Sequence, residues 1–435
     1  MRRWVAQVAL IVSVVAVAGV PAVAKQNVTV EGFYSGAWND LTADLDKQSI
    51  VINHAAGNEQ TGIVPSDGTL RFKNPAGRMN PHNTRGPLFG LITEKMPMRV
   101  KVDGDIRLSG RAVSWKPRRS LGGTKYVSWV DVTIAGKVRE LGQDGKPVRA
   151  PLRPSIEADG PYLYLPMEDG SSSAHFASGL SGGTPVVPAG PVSYAAIAGA
   201  AGAGGPGPSF APGGGTPMSI PLKLAPPFAL EYIVFPASDD AGQVLFGFSY
   251  LSSASAVPIN IGITSPTYVD PTLVGSNGWH HVIITLRQNG ADVERRAWFD
   301  GGEVPTADEI GATLGDLIRI DIGTFGADPP TQPWGIAHLA VHASATSVDP
   351  VARYEAMRAY ATERAGYRFI RMCTELGIAY TIVGDPDETQ PMGPQPVDTA
   401  LKILDDVART DAGFIHDTRS AEGLTFRTGR SLYNQ

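Results

Sequence analysis

A chain of 435 residues is long enough for two to four domains, and its formal charge of -5 leaves no basic footprint for nucleic acid. Its 50 Gly and 35 Pro favour many short strands joined by turns over long helices. The single cysteine, Cys373, excludes an intramolecular disulfide and a thiolate zinc site, and the 8 histidines follow no metal-ligand spacing such as HExxH.

The first 25 residues, "MRRWVAQVALIVSVVAVAGVPAVAK", join a basic start to an apolar run and an A-x-A cleavage pattern at Ala22-Val23-Ala24. That is the description of a secretory signal. The dominance of valine keeps two rivals open: a buried or edge β-strand, and a start codon placed ahead of a folded protein that begins near Gln26.

Residues 26–153 read as β-structure. "VTVEGFY", "QSIVINHA", "GTLRFKN", "MRVKVDG", "IRLSGRAVSW" and "YVSWVDVTIAG" are short, partly alternating and bounded by turn formers. Alternation puts Val100 and Val102 on one face, and Arg99, Lys101 and Asp103 on the other. Pro147, Pro151 and Pro154 mark a boundary, because proline cannot donate to a ladder.

A second unit, 154–348, opens on "GPYLYLPMEDGSSS". Its stretch 179–217, made largely of Gly, Ala, Pro and Ser, predicts a long disordered loop, since such composition buries little apolar surface. The strands "FALEYIVF", "QVLFGFSY", "HHVIITLRQ", "ERRAWFDG", "LIRIDIG" and "IAHLAVHA" predict a sandwich of two antiparallel sheets. Within "GWHHVIITLRQNGADVERRAWFDGG", His280 and His281 point to opposite faces of a strand and cannot easily chelate one ion. Asn289-Gly290 is a hairpin turn signal, so both histidines are assigned a packing role.

In the last segment, 349–435, Asp349 can cap a helix with Pro350 at its first position, and the helix is expected to run to Gly377. Phe369, Met372, Cys373 and Leu376 share one face, which makes Cys373 a core residue and not a nucleophile. A second helix is expected behind Asp398, with Leu401, Leu404 and Ala408 on a stripe; "GFIHD" and "LTFRTG" then predict a hairpin turning at Glu422-Gly423. These apolar faces have no evident mate in the chain, so a homo-oligomer, a trimer, is expected.

No nucleotide-loop or nucleophile-elbow motif is present, and the adjacent carboxylates Glu168-Asp169 and Asp239-Asp240 suit turns better than a cleft that needs facing acids. Asp169 and Asp300 would suit calcium by ligand type, but no partner set accompanies them. No catalytic residue, cofactor or metal ligand is assigned, and the chain reads as non-enzymatic.

Two resemblances add to this reading. "GWHHVIITL…RRAWFDGG", followed by "IDIG" and "IAHLAVHASATSVDPVARYEAM", resembles the laminin-G-like, concanavalin-type jelly roll, and "YLYLPMEDGSS" looks like its first strand. "YRFIRMCTELGIAYTIVGDP…MGPQPVDTALKILDDVARTDAGFIHDTRSAEGLTFRTGRSLYNQ" resembles minor tail proteins of long-tailed phages of actinobacterial hosts, as does "DGTLRFKNPAGRMNPHNTRGPLFGLI" near the other end. Relatives of this type usually continue past the hairpin, so a shortened protein or a fragment is expected. The resemblance implies a mainly β chain: a jelly-roll sandwich between β-rich tail-hub segments, with a small α+β C-terminal part. It implies a virion protein of the tail tip, partnered by other tail proteins and by host cell-wall polysaccharide, with no nucleic acid and no stable membrane insertion. Exposed aromatics of the sandwich would stack on sugars, and Tyr250, Tyr268 and Trp334 are the candidates. The alternative is a secreted actinobacterial lectin or glycoside hydrolase with a cleaved signal peptide.

Overall fold

Alternating apolar residues bounded by glycine and proline build a mainly β chain whose described strands pair antiparallel apart from one parallel pair. The computed structural model describes residues 26–54, 62–122, 125–211, 215–235, 246–251, 256–259, 278–306, 308, 310–324 and 333–433. The signal-or-strand question at residues 1–25 lies outside them.

In chain order the elements begin with strands β1 (Val28–Tyr34), β2 (Ala37–Asp40), β3 (Val51–Asn53), β4 (Asp67–Lys73), β5 (Pro97–Val102), β6 (Asp105–Gly122) and β7 (Lys125–Ala135). Helices α1 (Lys137–Asp144) and α2 (Leu152–Ala158) follow, then β8 (Leu163–Leu165), β9 (Val192–Ile197), β10 (Gly207–Phe210), β11 (Gly215–Leu224) and β12 (Phe228–Phe235). Next come β13 (Phe246–Leu251), β14 (Ala256–Ile259), β15 (His280–Asn289), β16 (Asp292–Phe299), β17 (Gly302–Val304), β18 (Leu317–Thr324) and β19 (Gly335–His342). The chain ends with α3 (Pro350–Met357), α4 (Ala365–Glu375), β20 (Ala379–Val383), α5 (Ala400–Thr410), β21 (Phe414–Asp417), β22 (Gly423–Arg427) and α6 (Gly429–Tyr433).

Contacts divide the chain into two units where the sequence suggested three consecutive segments. Unit 1 combines residues 1–148, 363–392 and 398–435, and unit 2 combines 149–362 with 393–397. The C-terminal segment is therefore not a separate appendage. It completes the unit that the N-terminal strands begin.

Unit 1 contains a seven-stranded antiparallel sheet ordered β2-β1-β5-β6-β7-β4-β3. Val100 is buried as alternation requires, while Arg99 and Lys101 on the other face both reach Glu31. The buried face, with Leu70, Phe72, Val130 and Val132 paired in register, is covered by Met79, Leu88, Ile92 and Met96 from the β4–β5 connection. That connection carries "NPAGRMNPHNTRGP", and its asparagines hold it: Asn74 accepts from the Met79 amide, and Asn83 donates to the carbonyls of Ala76 and Gly77. The motif is architecture.

A second core in unit 1 gathers Val138 of α1, Phe369, Met372 and Cys373 of α4, Ile403, Leu404 and Val407 of α5, and Ile415, Leu424 and Phe426 of the small sheet β20-β22-β21. The apolar faces expected to seek other copies thus find mates inside the chain, which removes the ground for a trimer. β20 runs parallel to β22, an addition to the expected β21–β22 hairpin. Cys373 is a core residue, and burial pushes its thiol up to about 12.

The expected long helix from Asp349 is two helices. Asp349 does cap α3, accepting from the Val351 and Ala352 amides, but α3 ends at Met357. Ala359, Tyr360 and Thr362 then take left-handed backbone conformations, and α4 starts afresh at Ala365. No glycine or proline marks this break; it falls where the chain passes from unit 2 back to unit 1. The cap of α5 is Thr399, whose hydroxyl accepts from the Lys402 amide, one residue beyond the expected Asp398.

Unit 2 is a two-sheet sandwich. The six-stranded sheet β17-β16-β15-β12-β19-β8 and the four-stranded sheet β11-β18-β13-β14 share one core, with Leu230, Ile284 and Leu339 from the first and Met218, Ile320 and Ile322 from the second. β15 and β16 turn through Gly290 in register Asn289↔Asp292, as the Asn-Gly signal predicted.

The described part of the Gly/Ala stretch, residues 179–211 and 215–217, forms regular structure, against expectation. β9 and β10 pair within it, and Ala203 and Phe210 are buried. Its small residues allow close approach: the Gly202 amide donates to the Met357 carbonyl, and a Cβ at Gly202 would lie 1.8 Å from the Ala356 carbonyl oxygen. Low side-chain volume here serves packing of backbone on backbone.

The two cores of unit 1 are stitched by Asp417. Its carboxylate accepts from the Ser66 amide at 2.7 Å and from the Val138 amide at 2.8 Å, capping α1, whose own cap position is Gly136. A Cβ at Gly136 would meet that carboxylate at 2.3 Å, so the capping acid has to come from elsewhere in the chain. Asp417→Ala leaves two buried amides without acceptors, an expected loss of about 2–4 kcal/mol. Urea denaturation would register it, and hydrogen exchange should show the Ser66 and Val138 amides losing protection.

Candidate functional site

Strand β12, "FALEYIVF", is buried along nearly its whole length, yet it carries Glu231 at its centre. A buried carboxylate needs partners, and three arrive from distant segments. His281 Nε2 of β15 lies 2.9 Å from Glu231 Oε1, and His342 Nε2 of β19 lies 3.0 Å from Oε2. Arg353 of α3 places Nε 2.8 Å from Oε1 as an ion pair, at an angle that does not make a hydrogen bond. Its other nitrogens donate to Ser155 Oγ and Asp159 Oδ2, at α2 and its C-terminal end. Burial alone would raise the Glu231 carboxyl, but the two histidine hydrogen bonds and the Arg353 charge outweigh it and hold the group down at about 2.

With the carboxylate ionised, each histidine donates from Nε2. The Nδ1 atoms of His281 and His342 are buried without a hydrogen-bond partner. All four charged or titratable groups of the cluster are almost fully buried, so no side chain in it is open to a substrate. It is a polar knot that joins two strands of the sheet, through β12, to α3.

His280 takes the opposite face, as alternation predicted. Its Nδ1 lies 2.8 Å from Asp300 Oδ2, and Asp300 Oδ1 accepts from the His281 amide at 2.8 Å. The closing Asp-Gly of the hairpin therefore secures the start of β15.

A second buried chain runs through Tyr164, His338 and Glu168: the tyrosine hydroxyl is 2.9 Å from His338 Nδ1, and His338 Nε2 is 3.2 Å from Glu168 Oε1. Burial, followed by the Glu168 charge, raises the Tyr164 hydroxyl far above its ordinary range. A hydroxyl that is both buried and hard to ionise is a poor nucleophile. Glu168 thus serves this network, while Asp169 accepts from the Ala177 amide in the turn assigned to it.

The structure describes two of the three aromatic candidates. Trp334 is 1% exposed and stacks on Phe210 at 4.5 Å between ring centres, so it offers no open face to a sugar. Against the expected exposure, the β9–β10 hairpin covers it, with backbone hydrogen bonds both ways between Trp334 and Phe210. Tyr250 lies in β13, opposite Val257 of β14. Tyr268 and the Asp239-Asp240 pair lie outside the described residues.

Unit 1 holds a cleft of about 560 Å³ lined by His54, Ser66, Phe414, His416, Asp417, Arg419, Thr425, Arg427 and Leu432. The register Phe414↔Arg427 and His416↔Thr425 sets these four side chains on one face of the β21–β22 hairpin. His416 Nδ1 is 2.9 Å from its neighbour's carbonyl, the Asp417 oxygen. Burial lowers both histidines; Arg419 adds to this for His54, and Arg427 and Arg419 do so for His416. The cleft is hidden in the sequence because His54 and Ser66 lie about 350 positions from the C-terminal residues that complete it; the local signal is a run of basic and aromatic residues on one strand parity.

Among the described residues, no group of three or more His, Cys, Asp or Glu is placed to hold a metal, and no helix is long and apolar enough to cross a membrane. No protein-family model and no curated protein matches the chain. Among solved structures, a Trypanosoma rangeli sialidase in complex with sialic acid aligns at TM-score 0.30 and 10% identity, over 74% of this chain and 57% of that one. The ligand binding domain of Botulinum neurotoxin serotype D aligns at TM-score 0.31 and 11% identity, over 49% of this chain and 54% of its own. The 43 kDa tail protein of prophage MuSo2 from Shewanella oneidensis aligns at TM-score 0.19 and 11% identity, over 28% and 30%. The chain thus spans little more than half the length of the first two.

The depressed Glu231 carboxyl has a consequence for stability. The fold favours its ionised form, so that contribution is complete above its ordinary 4.5 and is lost as pH falls toward about 2. Glu231→Gln should cost about 3–5 kcal/mol at pH 7, because Arg353 loses its counter-charge and one of the two histidines loses its acceptor. It should also flatten the stability profile between pH 4.5 and 2. Denaturant titrations across that range check both.

Proposed function

We propose that the chain is a structural protein of a phage tail tip and that its sandwich is an inserted module for attachment to host cell-surface glycan. The observation that carries this reading is the topology. The chain leaves unit 1 after Val148, builds the sandwich, and returns at Glu363 to complete a core that Val138 had begun. A scaffold that closes on itself around an insertion can carry the insertion as a separate working part. The resemblance of both flanks to minor tail proteins, and of the insertion to laminin-G-like sandwiches, supplies the two roles.

Other tail proteins are then the partners of unit 1, and host cell-wall polysaccharide is the partner of unit 2. No catalytic step is assigned: the carboxylate–histidine networks of the sandwich are consumed in holding it together. Weak single-site contacts suffice, because many copies on one particle raise avidity without new contacts.

The test is a phage in which residues 150–361 are replaced by a Gly/Ser-rich linker. Tails should still assemble, and adsorption to host cell walls should fall by at least about tenfold. Normal adsorption by fully assembled tails would overturn the attachment role. Mature protein beginning at Lys25 in culture medium, with none in virions, would favour the secreted reading instead.

A further inference from the structure

The cleft of unit 1 has a charge imbalance that the fold does not use. Elsewhere in the unit, Arg71, Arg99, Arg111 and Arg430 each hold a carboxylate. Arg419 and Arg427 form no ion pair among the described residues, although they line the same cleft. The one carboxylate in the lining, Asp417, already accepts from the Ser66 and Val138 amides. Two guanidinium groups therefore line a cavity of about 560 Å³ with no ion-pair partner of their own among the described residues.

The remaining lining suits a small charged group. Thr425 Oγ1 is a hydroxyl shared with Thr418 at 2.9 Å, beside His416 across the hairpin. His416 Nδ1 is directed to the Asp417 carbonyl, which makes Nε2 the nitrogen available to a ligand.

We propose that this cleft binds a single oxyanion group, a phosphate or a carboxylate, with Arg419 and Arg427 as its charged donors. Guanidinium presents paired N–H groups that match the oxygens of either anion, and such charge-assisted bonds are about twice as strong as neutral ones. The groups facing the histidines are Arg419, Arg427, Arg107 and the acceptor-saturated Asp417. Burial and the arginine charges disfavour a proton on His54 and His416, against the opposing charge of Asp417 at His416; a bound anion reverses that balance, so binding takes up protons and strengthens as pH falls.

The test is calorimetric titration of the full chain with sodium sulfate, inorganic phosphate and glucuronate. Sulfate keeps its charge across the range used, so its pH dependence belongs to the protein. One anion per chain should bind, tighter at pH 6 than at pH 8, and Arg419→Gln or Arg427→Gln should each weaken it by about tenfold or more. Arg427→Lys, which keeps the charge, should retain more of the affinity than Arg427→Gln, and Arg139→Gln on the exposed side of α1 should change nothing. Preference for sulfate and phosphate identifies a phosphate site; preference for glucuronate identifies a carboxylate site. Absence of binding by all three, or binding that survives both glutamine variants, overturns the proposal.

Discussion

The architecture of unit 1 depends on one carboxylate. Asp417 holds the Ser66 amide ahead of β4 and the Val138 amide at the start of α1, across 351 and 279 residues of sequence. A side chain that must be buried to reach both amides pulls the hairpin, the helix and the end of the large sheet onto one another. The small residue at Gly136 is the complement of that reach. A second tie, the ion pair of Arg111 on β6 with Glu422 at the hairpin turn, joins the same two parts of the unit.

The sandwich solves a parallel problem in another way. Strand β12 is covered on both sides, so its polar residue has to be neutralised from within. Glu231 does this by recruiting His281, His342 and Arg353, which makes the registry of β15 and β19 and the seat of α3 mutually dependent. Replacing such a knot whole by apolar residues is often tolerated energetically, whereas removing one partner strands a buried charge.

Much of this fold is legible in the sequence. Alternation located the strands of both units, Asn289-Gly290 located its hairpin, and the opposite faces of His280 and His281 followed from strand geometry alone. What escaped was whatever depends on long-range pairing. Glu231 stands out within "FALEYIVF" as a charge that needs a mate, but nothing local names His342 or Arg353. The break after Met357 has no glycine or proline to announce it, because the change of unit imposes it. The Gly/Ala stretch was misread for the opposite reason: composition measures how much side chain can be buried, and this segment packs by backbone approach. The anion cleft was invisible for the same cause as the Asp417 junction, since its walls meet only once the chain has returned.

That return sets an order of events during synthesis. The ribosome must add 351 residues after Ser66 before Asp417 exists, which at roughly 5–20 residues per second is on the order of tens of seconds. Through that interval α1, whose Val138 packs among residues of α4 and α5, has no cover, while the sandwich, almost contiguous in sequence, has its core residues in place once α3 emerges. The cores of the N-terminal sheet and of the inserted module are thus both complete in sequence before the residues of the last core, which closes the scaffold, have been made.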